Sequence, residues 1–345
     1  MPKMIAETAW HHEGDFGFMK NLVTEISQNS TADVVKMHIT LNFNEYMSKD
    51  HQAYALLKPW VFSERQWLEL IQIVRSSKKE LMLLVNDTAA IEFASSQKPE
   101  YIEIHSACLN VPRLYESILK KFDEQTKIII GIGGCSLEEI DKAVQIFREY
   151  PTVLMFGFQN YPTSYEDINL LKIRKIKSLY GSKEFGYADH TSWDNEHNEL
   201  ITLLVSSHGM DYIEKHVTTE PGLQRTDFSA AITIKMFNNL CEKANLIKLI
   251  NGDGLLKLNS AEEEYSKYGP NKMAGVAMSD LKAGEIFTAD RFTFVRTSQT
   301  TALSQISLLE KLGTKLVRDI KTNEIFDLKH FDDEFKYKTD EKSIK

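Results

Sequence analysis

Short apolar runs alternate with stretches of helical periodicity along most of the chain, from about residue 4 to residue 249. Several runs are almost continuously apolar, such as 128–130 and 153–156, which is typical of parallel strands buried on both faces. We predict strands at residues 4–9, 33–38, 81–85, 101–105, 127–132, 153–158, 184–188 and 211–217. Between them we predict helices at residues 18–28, 64–76, 111–122, 137–149, 165–180, 196–207 and 229–249.

Eight strand-then-helix units in roughly 240 residues predict a (β/α)8 TIM barrel, which is an α/β fold. A doubly wound open sheet fits the local pattern as well, but the number of units favours the barrel.

The pattern changes after about residue 250. A turn cluster reads NGDG at 251–254, and a polar stretch follows as far as Pro270. Short β-like pieces begin at Met273, and 292–296 alternates like a strand. We predict a TIM-barrel domain at 1–250, a linker at 251–272, a small β-rich domain at 273–331 and a charged tail at 332–345.

Composition narrows the class of protein. Of the 345 residues, 42% are hydrophobic and 26% are charged, which excludes a disordered or fibrous chain. The net charge of −8, from 41 basic and 49 acidic residues, disfavours a broad nucleic-acid-binding face. No apolar run is long enough to span a membrane. The first residues lack the apolar segment of a signal peptide, so we expect a cytoplasmic protein. Three cysteines are too few for a disulfide framework.

Polar residues follow most of the predicted strands. In a TIM barrel the active site lies at the carboxyl ends of the strands, where these residues would converge. The candidate catalytic residues are Glu7, Lys36, Asp189 and Glu214. The candidate substrate-binding residues are His12, His38, Asp87, Ser106, Gln159 and Tyr161.

Two histidines, His190 and His216, end neighbouring predicted strands. They could bind a divalent cation and leave positions for water and substrate, or they could be ordinary hydrogen-bonded histidines. Lys36 could form a Schiff base, anchor an anion or be a surface cation, and the anchor is favoured at a barrel strand end. Glu7 lies in an apolar run, so it needs a partner such as Lys36 or a role in the site.

Taken together, the motifs resemble those of the sialic acid synthase family over nearly the whole chain. Residues 6–15 read AETAWHHEGD, which resembles the family's opening AE-x-G-x-N-H-x-G-D, and 213–218 read IEKHVT, which is similar to IEKHFT. Similar matches occur at 32–36 (ADVVK), 160–163 (NYPT) and 186–191 (GYADHT). Residues 279–285 (SDLKAGE) and 294–296 (FVR) resemble the family's antifreeze-like SAF domain.

The resemblance implies an enzyme that joins phosphoenolpyruvate to an open-chain N-acyl sugar aldehyde and releases phosphate. It implies that His190 and His216 hold Mn²⁺ or Mg²⁺, that Glu7 and Lys36 lie near phosphoenolpyruvate, and that Tyr161 faces the sugar. It also implies a domain-exchanged homodimer in which Arg296 reaches the barrel of the partner subunit.

The sequence departs from the family pattern mostly at positions that would hold the phosphate of the donor. If the fourth strand is aligned with a one-residue gap before Asn110, the family's lysine falls at Glu103. Serine or asparagine positions of the fifth, sixth and seventh strands fall at Gly131, Gln159 and Ala188. Replacing a lysine by a glutamate removes an attraction for an anion and adds a repulsion.

Three hypotheses follow. The first is a divergent synthase that still uses phosphoenolpyruvate. The second is a barrel aldolase or lyase that uses a keto-acid donor without phosphate. The third is a non-catalytic, sugar-binding relative, which is disfavoured because Lys36, His190, His216 and Arg296 are all retained.

Overall fold

The computed structural model describes residues 2–157 and 160–332. The chain divides into two compact units, Met1–Asp253 and Gly254–Lys345.

The first unit is a closed barrel of parallel strands in sequential order, in which β1 also pairs with β8. The closed ring confirms the predicted TIM barrel and excludes the open doubly wound sheet. A two-residue strand, β9 (Ile232–Thr233), pairs in parallel with the end of β8. The barrel strands are β1 (Lys3–Glu7), β2 (Val34–Ile39), β3 (Glu80–Val85), β4 (Tyr101–Ile104), β5 (Lys127–Gly131), β6 (Thr152–Gly157), β7 (Glu184–Asp189) and β8 (Tyr212–Thr218).

Helices connect the strands and cover the outside of the barrel. They begin where the sequence offers caps: the Asp15 side chain accepts from the Phe18 amide, and Ser63 forms a capping box with Gln66. The helices of this unit are α1 (Phe16–Asn29), α2 (Phe43–Tyr46), α3 (Tyr54–Leu57), α4 (Glu64–Ser76), α5 (Thr88–Gln97), α6 (Pro112–Lys121), α7 (Leu137–Ile146), α8 (Tyr165–Ile168), α9 (Leu170–Leu179), α10 (Asn198–Ser206) and α11 (Ile234–Asn251). Within the described parts of the chain, no helix combines the length and apolarity needed to cross a membrane.

The helix predicted at 165–180 is two helices, α8 and α9. The break falls at Asn169, which has a φ of 45°, a conformation that asparagine tolerates better than most residues. Its side chain accepts a hydrogen bond from the Lys172 amide at 3.1 Å and so starts the second helix. Local capping chemistry therefore outweighs the continuous helical period of this stretch.

The amino end of the barrel is closed by paired charges and tyrosines. Lys3 Nζ lies 2.6 Å from Glu80 Oε2 and donates to the Tyr101 hydroxyl at 2.8 Å. Across the ring, Lys127 donates to the Tyr212 hydroxyl at 2.9 Å. Above this layer the interior is packed by apolar side chains, including those of Ile5, Val34, Met82, Ile129 and Val153. Polar side chains that could contact a ligand therefore lie at the carboxyl end of the barrel.

The second unit is small and has its own apolar core, built around Phe287, Phe326 and Leu308. Its elements are α12 (Ser260–Tyr265), the antiparallel pair β10 (Ala274–Ala277) and β11 (Phe292–Val295), and α13 (Gln305–Leu309). The stretch predicted as a linker thus contains a helix, which starts at an Asn259 capping box. Of the predicted tail, residues 333–345 lie outside the described residues.

Candidate active site

A buried cluster of one lysine and three glutamates occupies the carboxyl end of the barrel. Lys36 Nζ on β2 lies 2.7 Å from Glu103 Oε2 on β4, 2.9 Å from Glu214 Oε1 on β8 and 3.6 Å from Glu7 Oε2 on β1. Glu7 also hydrogen-bonds His38. All four residues of the cluster are at most 3% exposed. The structure therefore gives Glu7 the partner that its apolar setting required, and it adds Glu103 and Glu214 to the same ammonium group.

The single ammonium of this cluster cannot balance the charges of all three carboxylates. Burial disfavours the charged lysine, but Glu103, Glu214 and Glu7 outweigh burial and raise the pKa of Lys36 well above its usual value. Burial also opposes the charge of Glu7, yet Lys36 and His216 hold the pKa of Glu7 well below its usual value. Burial and the neighbouring charge of Glu7 raise the pKa of Glu214 well above its usual value. Among the three carboxyls around Lys36, Glu214 is therefore the best suited to retain a proton.

Two imidazoles lie beside the glutamate cluster. The ring centroids of His190 and His216 are 4.8 Å apart, and His216 Nε2 lies 3.4 Å from Glu7 Oε2. With metal–nitrogen bonds of about 2.1 Å, two adjacent imidazole ligands have centroids about 4.5–5 Å apart, so these two rings fit a shared cation. No group of three or more histidine, cysteine or acidic side chains is arranged as a complete cation site within residues 2–157 and 160–332. The Tyr161 ring stacks on the His216 ring at 5.8 Å and lies tilted against the His190 ring at 4.5 Å.

The cavity between these groups holds about 40 Å³, room for about three water molecules. Its lining also includes His38, His105 and Ser106. Small or apolar residues complete the lining, namely Gly131, Gly133, Met155, Phe156, Gly157 and Ala188. Lys36 is therefore the one lysine or arginine among the described residues that line the cavity.

Gly131 is required by close packing at this site. A Cβ at this position would lie 2.8 Å from the Ser106 amide nitrogen and 3.2 Å from the Ile104 carbonyl oxygen. The family's serine at this position therefore has no space here unless the backbone after β4 moves.

We expect Gly131→Ser to destabilise the protein by about 1–3 kcal/mol, the usual cost of overpacking. The free energy of unfolding from urea titration measures this loss. Gly181→Ser is the matched control, because a Cβ there meets only the Lys177 carbonyl oxygen at 3.8 Å. If Gly131→Ser and the control are both as stable as the wild type, the backbone after β4 can move at no cost and the overpacking argument is wrong.

Several predicted site residues lie outside the cluster. Both carboxylate oxygens of Asp87 accept backbone hydrogen bonds, from Ala90 and Leu41, so Asp87 caps α5. His12 packs 4.5 Å from the Phe62 ring and accepts from the Gly14 amide at 3.1 Å. Burial is the main cause that lowers the pKa of His12 to about 3.

Asp189 is also enclosed by protein groups. It lies 3.1 Å from Lys215 Nζ and accepts hydrogen bonds from the Thr191 amide and from the hydroxyls of Thr191 and Thr202. These contacts fix the end of β7, next to His190. Arg296 belongs to the second unit, where its guanidinium donates twice to the Pro270 carbonyl oxygen at 2.7 and 2.8 Å. Gln159 lies outside the described residues.

Sequence reasoning missed two features of the site. The first is the ion pair between Glu103 and Lys36, because the sequence suggested only Glu7 as a partner of Lys36. The second is the attachment of the loop after β8 to the loop after β1: Arg225 donates to the carbonyl oxygens of His11 and His12, and Thr226 donates to Glu13. Arg225 stood in a polar loop with no motif, so the sequence contained no signal for this contact.

Comparisons with known proteins agree with the motifs. The NeuB family model matches residues 25–255, which is more than half of the chain. The N,N'-diacetyllegionaminic acid synthase of Legionella pneumophila is 26% identical over 334 residues, which cover 91% of this chain and 90% of the relative. The pseudaminic acid synthase of Helicobacter pylori is 24% identical over 339 residues, which cover 93% of this chain and 95% of the relative.

Solved structures show the same fold. The N-acetylneuraminic acid (sialic acid) synthetase of Leptospira borgpetersenii, crystallised with citrate, superimposes with a TM-score of 0.69 at 26% identity and covers 76% of this chain and 90% of its own. A putative spore coat polysaccharide biosynthesis protein E of Chromobacterium violaceum gives a TM-score of 0.80 at 19% identity and covers 96% of this chain and 100% of its own. The match over residues 25–255 confirms the family predicted from the motifs, and the chain belongs to the NeuB family.

Proposed function

We propose that the protein is a condensing synthase of the sialic acid synthase type, which joins phosphoenolpyruvate to an open-chain N-acyl sugar aldehyde. The product is a 3-deoxy-2-keto acid, and phosphate is released. The observation that carries the proposal is the convergence of Lys36, Glu7 and Glu214 with His190 and His216 around one cavity at the carboxyl end of the barrel. The relatives named above, an N,N'-diacetyllegionaminic acid synthase and a pseudaminic acid synthase, support the same class of reaction.

The reaction requires a proton donor and a proton acceptor. Carbon 3 of phosphoenolpyruvate attacks the aldehyde carbon, and the new alkoxide takes a proton; water adds to carbon 2 and loses a proton. The bond between carbon 2 and the phosphate oxygen then breaks while the carbon-2 hydroxyl passes its proton to the departing phosphate, giving the keto acid and phosphate. Glu214, with a raised pKa, suits the donor, and Glu7, with a lowered pKa, suits the acceptor.

A divalent cation has suitable ligands in this site. His190 and His216 would hold Mn²⁺ or Mg²⁺, and the cation would polarise the aldehyde oxygen when bound. The surrounding chain orients these ligands: Asp189 and Thr191 fix the end of β7, and the Tyr161 ring covers both imidazoles. The homodimer and the cytoplasmic location stay predictions from the sequence.

The test is incubation with phosphoenolpyruvate, Mn²⁺ and a panel of N-acyl hexosamines, with phosphate and keto acid measured together. Equal amounts of both products are expected with at least one acceptor. Glu214→Gln, which keeps the side-chain length but has no acidic proton, is expected to lower kcat at least a hundredfold. Absence of phosphate release, combined with absence of donor binding by calorimetry, contradicts the proposal.

One observation favours a second candidate, an aldolase or lyase whose keto-acid donor carries no phosphate. Glu103 Oε2 lies 2.7 Å from Lys36 Nζ, so the Lys36 ammonium already faces a carboxylate where a phosphate would have to approach. Condensation of pyruvate with a sugar aldehyde, or cleavage of a keto acid to pyruvate, without phosphate release would support this candidate.

A further inference from the structure

Lys215 is a completely buried lysine in the wall of the barrel. Its neighbours in β8, Glu214 and His216, line the cavity, and successive side chains of a strand point to opposite faces. The Lys215 side chain therefore points away from the cavity, and it is 0% exposed. Lysines are rarely buried completely unless they are paired, because a buried ammonium group is costly without a partner. The contacts of Lys215 therefore carry the explanation of its burial.

The partners of Lys215 belong to the segment around the end of β7. Lys215 Nζ lies 3.1 Å from Asp189 Oδ2 and donates to Asn198 Oδ1 at 3.2 Å. Asn198 begins α10, and its side-chain amide donates to the Thr191 carbonyl oxygen and to the next carbonyl oxygen along the chain, both at 2.9 Å. Lys215 thus contacts groups that hold the chain immediately before and immediately after His190.

The register of β7 and β8 connects this ion pair with the two imidazoles of the site. In the parallel pairing of these strands, Asp189 lies opposite Lys215. One residue further along each segment come His190 and His216, whose rings are 4.8 Å apart and line the cavity. The ion pair on the outer face and the imidazole pair on the inner face therefore occupy consecutive positions of the same two segments. A contact that fixes the first pair also fixes the second.

Stability alone does not require a buried ion pair at this place. Apolar residues of similar volume can often replace such a pair with little loss of stability. The ion pair and its hydrogen bonds do, however, impose direction. Asp189 uses both of its oxygens: Oδ1 accepts from the amide and the hydroxyl of Thr191, at 2.9 and 2.6 Å, and Oδ2 accepts from Thr202 and faces Lys215. The network therefore sets the position of the chain that follows β7.

We propose that Lys215 is a positioning residue: its ammonium group holds the end of β7 against β8 and so keeps His190 beside His216, at a spacing that suits a shared cation. Mutation of groups behind the metal ligands typically changes metal affinity about 10–100-fold. The cation rests on the proposed function, whereas the position of His190 is a property of the metal-free protein. The Thr163 amide reports that position, because it donates to the His190 carbonyl oxygen at 3.0 Å.

The experiment compares the full-length, metal-free protein with the double variant Lys215→Met/Asp189→Asn. The double variant leaves neither charge of the pair unpaired, and asparagine retains an acceptor for Thr191, so its urea midpoint is expected to stay near that of the wild type. Hydrogen exchange is followed by NMR. The Thr163 amide is expected to exchange as slowly as the slowest barrel amides in the wild type, and at least about tenfold faster in the double variant. The Kd for Mn²⁺ alone is expected to rise about 10–100-fold.

Lys127→Met/Glu184→Gln is the matched control, because it removes an ion pair of the same strand, β7, at its amino end. It should leave both the exchange of the Thr163 amide and the Kd for Mn²⁺ unchanged. Wild-type exchange together with a wild-type Kd in the folded double variant overturns the proposal.

Two further results keep the proposal separate from the folding of the variant and from the proposed function. If the Thr163 amide of the wild type exchanges far faster than the slowest barrel amides, the proposal is overturned even if the double variant does not fold. Absence of Mn²⁺ binding or of condensation in the wild type contradicts the proposed function alone, and the exchange of the Thr163 amide still decides the role of Lys215.

Discussion

Replacing Lys36 by methionine is expected to lower the free energy of unfolding by about 3–5 kcal/mol at pH 8, because it leaves buried carboxylates without a cation. Glu7, Glu103 and Glu214 all lie within 3.6 Å of Lys36 Nζ and are at most 3% exposed. Methionine fills most of the volume of the lysine stem, so the loss comes from charge. Condensation is expected to fall below detection, since the same substitution removes the lysine that faces the cavity.

The deficit should depend on pH in a defined direction. Lys36 has a raised pKa, so its stabilising charge is fully present between pH 5 and pH 8 and is lost only in strongly alkaline solution. In Lys36→Met, burial raises the pKa of each carboxyl, and a carboxyl with a raised pKa destabilises the fold as pH rises above its unfolded value. The difference between wild type and variant should therefore be smaller at pH 5 than at pH 8. Urea unfolding at both values measures it.

Lys243→Met is the control for this experiment. Lys243 pairs with Glu199 on the surface, and both side chains are more than 40% exposed, so the substitution should change stability by less than about 0.5 kcal/mol at either pH. A deficit of the same size at pH 5 and pH 8 for Lys36→Met would mean that the buried carboxylates do not carry the effect.

The barrel itself could be predicted from the sequence because its strands are buried on both faces. Residues 128–130 lie in β5 and residues 153–156 lie in β6, and all of them are buried. Continuous apolar runs of this kind are typical of parallel strands, and their number decides between a barrel and an open sheet. Helix ends were less predictable, since a single capping residue such as Asn169 decides them.

The site could be predicted only in part, because strand alternation decides which way a side chain points. The register that pairs Glu7 with Lys36 and with His216 brings three predicted residues together. Asp87 also follows a strand, yet its two oxygens accept hydrogen bonds from the backbone amides of Ala90 in α5 and of Leu41 after β2. Glu103 depended on an assumed gap in the alignment of the fourth strand. The structure decides the matter, since Glu103 pairs with Leu84 in the β3–β4 register and points to Lys36.

Glu103→Gln is expected to tighten the binding of phosphoenolpyruvate about 10–100-fold. The substitution removes a carboxylate that lies 2.7 Å from Lys36 Nζ, so the ammonium becomes available to an anion and one repulsive charge disappears. Two unit charges about 5 Å apart interact by roughly 3 kcal/mol at an effective dielectric near 20. Calorimetry with phosphoenolpyruvate and with pyruvate measures the change for each donor. The gain should be larger for phosphoenolpyruvate, because it carries more negative charge than pyruvate.

Glu80→Gln is the matched control, since Glu80 also lies on a barrel strand and pairs with a lysine, but at the amino end. It should leave the affinity of the protein for both donors unchanged.

Donor binding by Glu103→Gln, taken together with condensation by the wild type, also decides between the two donors. If Glu103→Gln improves phosphoenolpyruvate binding but wild-type protein condenses only pyruvate, then Glu103 is the group that excludes phosphate from the wild-type site. If the substitution weakens phosphoenolpyruvate binding, the carboxylate of Glu103 orients Lys36 for the phosphorylated donor, and the repulsion argument is wrong.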